Sequence, residues 1–289
     1  SCNFTITINA LPSNAVIVNP TAITTYENII PVATFTVVLP TAPTGTVVFD
    51  VVSNDLTEGT VSTGSLTFNA GNWSTPQTVT VTGVNDDVDD DDVPYVILLT
   101  TNTVLTDPLS GYYNVDPTNV DAVNIDNDVA GVTVSAISGP TTEAGGTATF
   151  TMVLNTEPTD DVIFTLSSSD LTEGNVTNPV TFTVTFTPAN WDTPQTITVT
   201  GIDDPIDDGN VSYTIITSDA TSDDPKYSSM VAADVPVINN DNDAVGFIVT
   251  PLTLNTTEAG GTATFTVVLT SKPATDLADY VVVVDVTSS

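Results

Sequence analysis

Carboxylates are the side chains here best able to hold or transform anything, and they fall in short runs that recur. DDVDD begins at Asp86 and DDPIDD at Asp203, while IDND ends at Asp128 and NNDND at Asp243. Spaced this way, they could act as an acid–base pair on a glycosidic bond or wrap a hard cation in oxygen ligands. Aligning the runs on Gly83 and Gly201 pairs Asn85 with Asp203, Asp86 with Asp204, Asp89 with Asp207 and Asp90 with Asp208. A second group, Asp126 and Asp128 or Asp241 and Asp243, closes each copy of the pattern. Near the start of each copy stands a glutamate, Glu27, Glu143 or Glu258, and Asp55 and Asp170 lie in matching LTEG turns.

Composition narrows the choice. The 289 residues carry 36 Asp or Glu against 2 Lys or Arg and no His, a formal charge of −34. With Lys226 and Lys272 as the sole side-chain cations, the chain cannot neutralise a phosphate backbone or adsorb to an anionic membrane, so nucleic acid is not an expected partner. Histidine triads, zinc sites and phosphate clamps lack their usual residues. A catalytic carboxylate pair is normally built once, whereas these groups repeat in register, so no enzyme is expected. Carboxylates packed together with almost no Lys or Arg repel one another unless a cation sits between them. Calcium suits them best, because it accepts six to eight oxygens in irregular geometry, whereas magnesium needs a tight octahedron and zinc or copper would want His or Cys.

The elements that must position these groups are strands. Thr, Val and Ile are abundant, and 40% of the residues are apolar, enough for packed cores and against plain disorder. Segments such as TATFTMVL, TFTVTFT and QTITVTG alternate with period two between Pro, Gly, Asn and Asp turn signals. The alternating segments repeat with a period of about 115 residues. YENIIPVATFTVVLP from Tyr26, NDLTEG from Asn54 and NWSTPQTVTVTG from Asn72 are answered by TEAGGTATFTMVLN from Thr142, SDLTEG from Ser169 and NWDTPQTITVTG from Asn190. Roughly seven strands per copy predict an all-β chain of tandem immunoglobulin-like sandwiches, two complete and one partial. The expected divisions are an arm at 1–14, repeats at 15–130 and 131–245, and a partial third repeat at 246–289. Trp73 and Trp191 read as core or sheet-edge anchors. Each acidic run follows a strand directly and so belongs to a sandwich tip.

TEAGGTATFTVVL from Thr257, the NWxTPQT segments, the acidic loop and the terminal DND resemble the bacterial relatives of the Calx-beta domain, from about Ala15 onward. That resemblance implies calcium at one tip of an immunoglobulin-type sandwich. It implies as ligands Glu27, Asp55, Asp86, Asp87, Asp126 and Asp128 in the first copy, with Asp89 added. The second copy supplies Glu143, Asp170, Asp203, Asp204, Asp241 and Asp243, with Asp207 added. The first copy departs from the TEAGG pattern, reading TYENI, and the third keeps only Glu258.

Two features suggest assembly. CNFTITINAL alternates like a strand ahead of the first repeat, and the third copy stops after about three strands' worth, including an apolar YVVVVDV from Tyr280 that reads as buried on both sides. A surplus strand and a deficient sandwich can complement each other between molecules, so the expected partners are further copies of the chain, head to tail in an extracellular filament. The alternative is a calcium-stiffened stalk of a large bacterial adhesin or surface-layer protein. No run of about 20 apolar residues is present, so no bilayer insertion is expected, and the start at Ser1 fits a processed secreted protein. Cys2 has no partner cysteine in the chain. Sequons at Asn3, Asn72, Asn175, Asn210 and Asn255 mark candidate glycan attachment, with host or matrix surfaces as further partners.

Overall fold

The computed structural model describes residues 14–28, 32–273 and 282–287, all strand, turn or irregular chain. The arm at 1–13, with Cys2 and Asn3, and Tyr280 lie outside the described residues. The chain divides after Val129 into two compact units, Ser1–Val129 and Ala130–Ser289.

In the first unit the strands are β1 (Ile17–Asn19), β2 (Ala22–Tyr26), β3 (Ala33–Val38), β4 (Val47–Ser53), β5 (Gly59–Val61), β6 (Ser65–Phe68), β7 (Gln77–Gly83), β8 (Val93–Thr101) and β9 (Val120–Ile125). They form two sheets, ordered β1-β3-β7-β5 and β2-β9-β8-β4-β6. The second unit repeats the set as β10 (Val132–Val134), β11 (Thr141–Thr142), β12 (Thr147–Leu154), β13 (Val162–Ser168), β14 (Gly174–Asn178), β15 (Thr183–Phe186), β16 (Gln195–Gly201), β17 (Val211–Thr217) and β18 (Val235–Asn240). Its sheets run β10-β12-β16-β14 and β11-β18-β17-β13-β15, position for position the same.

Both repeats are immunoglobulin-like sandwiches, each with nine described strands where periodicity counted about seven. The surplus comes from segments that change sheets. Pro20, which has no N–H for a ladder, falls between β1 in one sheet and β2 in the other. The pair β5 and β6 divides in the same way.

Alternation builds the core as expected. Along β12, Ala148, Phe150, Met152 and Leu154 point inward and are buried, facing Phe164, Leu166 and Phe186 of the opposite sheet. The first unit answers with Phe35, Val37, Phe49 and Phe68. Edge-to-face ring pairs recur, Phe49 with Phe68 at 6.1 Å and Phe164 with Phe186 at 6.4 Å. Trp73 and Trp191 pack against the two cores, and their carbonyls accept the N–H groups of Leu39 and Leu154.

One pairing decides where the acidic residues meet. Among the described strands, β2 with β9 and β11 with β18 are the parallel pairs. Registers Tyr26↔Ile125 and Thr142↔Asn240 carry the ends of β2 and β9, and of β11 and β18, to the same pole. There β7 ends with Gly83 opposite Gly59, and β8 begins with Val93 opposite Asn124, so the intervening acidic loop leaves and re-enters at that pole too.

In the third copy, β19 (Phe247–Thr250) pairs with β20 (Thr266–Leu269) in the arrangement of β10 with β12. No second sheet covers it among the described residues, and Phe247, Ile248 and Val268 are more than half exposed. Residues 282–287 have no regular structure, and Val283 is 74% exposed. The double burial expected of that valine run is not observed, because no described layer packs on it.

Candidate metal centre

Extending the parallel pairs by one or two residues builds the site. Glu27 follows β2, its N–H donating to the Ile125 carbonyl at 3.1 Å, and Asp126 follows β9. Glu27 is buried at 5% exposure, and oxygens of Glu27, Asp126 and Asp128 lie within 4.8 Å of one another. Glu143, Asp241 and Asp243 form the same group in the second repeat, with Glu143 at 3% exposure.

Backbone N–H groups hold these carboxylates in shape. Asp126 accepts the Asp128 N–H at 2.6 Å through Oδ1 and the Asp91 N–H at 3.0 Å through Oδ2. Asp241 does the same with Asp243 at 2.7 Å and Gly209 at 2.7 Å. The terminal DND thus folds on itself while clamping the acidic loop. Glu27 and Glu143 accept the N–H groups of Asn127 and Asn242 at 3.4 and 3.0 Å.

The acidic loop completes the pole. Asp86 and Asp204 turn the loop by accepting the Val88 and Ile206 N–H groups at 2.9 and 2.7 Å. Asp203 accepts the Asn242 side-chain amide at 3.1 Å, and Asp207 accepts the Val245 N–H at 2.6 Å. Electrostatics tie all of them together. Burial pushes Glu27 up to about 7, aided by the charges of Asp86, Asp126 and Asp90 against the opposing Asn127 N–H. Burial likewise pushes Glu143 to about 7, with Asp241 and Asp204 adding to it. Asp90 rises to about 6 through desolvation and then the charges of Glu58, Asp86 and Asp126. Asp128 is raised by desolvation and by Asp126, Asp87, Asp86 and Asp89. Asp243 is raised by desolvation and by Asp241, Asp203, Asp204 and Asp207. Every acidic-loop residue expected from the sequence therefore lies within electrostatic reach of its repeat's terminal DND.

Asp55 and Asp170 are placed differently. Each uses Oδ1 to accept the N–H and O–H of Thr57 or Thr172, the O–H bonds being 2.5 Å, and those bonds hold both carboxyls below the usual range. The three-carboxylate groups do not include them. The LTEG turn also contributes its glutamate. Glu173 is buried at 5% exposure and groups with Asp204 and Asp208; its carboxyl is raised by burial and by Asp208, Asp170 and Asp204. Glu58 matches it at 4% exposure, beside Asp90. Sequence reasoning passed over Glu58 and Glu173, and it aligned Asp90 with Asp208 without counting either among the ligands. The chain has six glutamates, and five of them, including Glu58 and Glu173, recur at matching positions, a signal that was available. Glu258 of the third copy is exposed and outside every such group.

This donor set fits calcium. It consists of hard carboxylate oxygens in number, on turns of irregular geometry, around glutamates whose charge is disfavoured until a cation compensates it. The first repeat contains no Lys, Arg or His to do so.

A search of curated proteins gives no match. Solved structures similar to the chain include the calcium binding domain CBD12 of CALX1.1, at 16% identity over 71% of this chain and 80% of that one, with a TM-score of 0.28. CBD12 from CALX1.2 is 14% identical over 78% and 99%, with a TM-score of 0.31. Domains 4–9 of the surface layer protein SbsC are 15% identical over 82% and 32%, at 0.24. The family model for the Calx-beta domain matches twice, at residues 12–129 and 125–241, so the chain belongs to the Calx-beta domain family and carries two of its domains in tandem.

Proposed function

We propose that the chain is a non-enzymatic, calcium-binding structural module of an extracellular protein. The observation that carries this reading is the buried glutamate grouped with two aspartates of the terminal DND, built at the same place in both repeats. Glu27, Asp86, Asp87, Asp89, Asp126 and Asp128 would hold the ion in the first repeat, with Glu58 and Asp90. Glu143, Asp203, Asp204, Asp207, Asp241 and Asp243 would do so in the second, with Glu173 and Asp208. Calcium there would neutralise the pole and lock the acidic loop to β2 and β9 in the first repeat and to β11 and β18 in the second. Thermal melting with calcium and with a chelator tests it: a midpoint raised by calcium is expected, and an unchanged midpoint overturns the reading.

Assembly into a head-to-tail filament by strand addition between copies of the chain is the finer proposal. Its support is the exposed apolar surface of β19 and β20 among the described residues. A calcium-stiffened stalk within a large adhesin or surface-layer protein is the second reading, favoured by in-register repetition of the site. Electron microscopy of the purified protein separates them, fibres with an axial repeat of one subunit supporting the first and monodisperse rods the second. Glycan attachment belongs to the same proposal; Asn255 is exposed, whereas the Asn72 amide is engaged with the Thr67 carbonyl at 3.0 Å and the Asn210 amide accepts the Asp241 N–H at 3.1 Å.

A further inference from the structure

We propose that Asn124 and Asn239 are positioning residues that hold the inner glutamates, Glu58 and Glu173, in place for calcium. The proposal rests on the calcium reading and adds residues outside the acidic groups.

Both asparagines occupy positions where alternation demands an apolar side chain. The inward row of β9 runs Val120, Ala122, Asn124, and that of β18 runs Val235, Val237, Asn239. Each asparagine is 1% exposed, and an amide so buried is costly unless it is hydrogen-bonded. Asn124 Oδ1 accepts the Thr25 hydroxyl at 2.9 Å, and its Nδ2 donates to the Val84 carbonyl at 2.9 Å and to Glu58 Oε2 at 3.3 Å. Asn239 repeats this with Thr141 at 3.0 Å, the Ile202 carbonyl at 3.1 Å and Glu173 Oε2 at 3.4 Å.

The orientation of each amide is fixed from behind. Thr25 lies 2.9 Å from the Tyr95 hydroxyl, and Thr141 lies 3.0 Å from that of Tyr213. A threonine hydroxyl has one hydrogen, here directed to the asparagine oxygen and a strand carbonyl, so the tyrosine must donate to the threonine. The polarity then runs one way, from tyrosine to threonine to asparagine, and presents the amide N–H to the glutamate. A flipped amide would face the carboxylate with its oxygen and lose both N–H bonds. The Tyr, Thr and Asn side chains are all buried, and the chain is built twice. Glycines make room for it: a Cβ on Gly59 or Gly174 would overlap the tyrosine hydroxyl, and one on Gly83 or Gly201 would overlap the asparagine oxygen.

An amide N–H on one carboxylate oxygen steers the group toward Asp204 and Asp208, whose ligand oxygens lie within 4.8 Å of it, and favours its ionised form. Partners of this kind behind metal ligands typically alter affinity by about 10- to 100-fold.

The test uses the full chain, titrated calorimetrically with calcium chloride, in the wild type and in Asn239→Leu, Thr141→Val and Tyr213→Phe. The first repeat stays intact and serves as an internal reference. Asn239→Leu is expected to weaken a subset of the calcium sites by about 10- to 100-fold while the remainder keep wild-type affinity. Thr141→Val should give a smaller loss and Tyr213→Phe the smallest. A merely structural role predicts instead a lower melting midpoint in chelator with an unchanged calcium isotherm, and that result overturns the proposal. If Asn239→Leu fails to fold, the Thr141→Val isotherm decides, wild-type affinity there counting as refutation. Absence of any binding heat and any calcium-dependent shift in the wild type would sink the calcium reading itself, a distinguishable failure.

Discussion

Glu27 and Glu143 each sit buried among like charges, and their protonation links acidity to fold. Their folded values near 7 exceed the ordinary 4.5, so the folded state binds the proton more tightly than the unfolded chain. Without metal, the stability this supplies is full below about pH 4.5 and is lost as pH rises through about 7. Asp55, Asp170 and Asp241 act in the opposite sense, their lowered values giving stability above the ordinary 3.8 that is lost as pH falls. Denaturant melts in chelator are therefore expected to show greater stability at pH 5 than at pH 8. In calcium the order should reverse, because protons compete for the same oxygens. Glu143→Gln is expected to raise the melting midpoint in chelator while weakening calcium binding at least tenfold, about 1.4 kcal/mol. Paired melts and titrations read both. At this scale the sequence reveals the terminal DND and the acidic loop, because recurrence marks them. It does not rank the residues of the LTEG turn, where Asp55 and Glu58 recur equally. What separates them is that Oδ1 of the aspartate is engaged by Thr57 two residues on, while the glutamate is buried beside an asparagine 66 positions away.

At the scale of elements, the LTEG turn places one small residue between the pole and the core. Gly174 lies against the Tyr213 hydroxyl, so Gly174→Ala must displace that ring, and forced packing of this kind typically costs about 1–3 kcal/mol. Urea melts in chelator should show it. Asp170→Ala removes two bonds of the turn and is expected to cost about 1 kcal/mol, with a smaller loss of calcium affinity than Glu173→Gln. Period-two alternation suffices to locate most strands, since TATFTMVL and QTITVTG each fall inside one. It is silent on which sheet a strand joins, which is why β1 and β2, or β5 and β6, read as fewer elements than the fold contains. The parallel register of β2 with β9 is likewise invisible, because it joins residues about a hundred positions apart whose pairing no local pattern records.

Across the whole molecule, a charge of −34 means that self-repulsion is greatest in metal-free solution. Monovalent salt is expected to raise the melting midpoint in chelator and to have a smaller effect once calcium is present, a comparison of four scanning-calorimetry traces. Repetition itself is plain in the sequence at this scale, since every acidic group of the first repeat has a counterpart in the second.

The side-by-side run of β2 and β9 also has a mechanical meaning. A pull on the two ends of such a sandwich drives these two strands past each other in opposite directions. Every rung of that ladder is then loaded at once in shear, where a hairpin would peel rung by rung. An ion gripping Glu27 and Asp126 just beyond the last rung would act as a stop against that slide, so each domain would resist stretching most when loaded and yield at lower force when stripped.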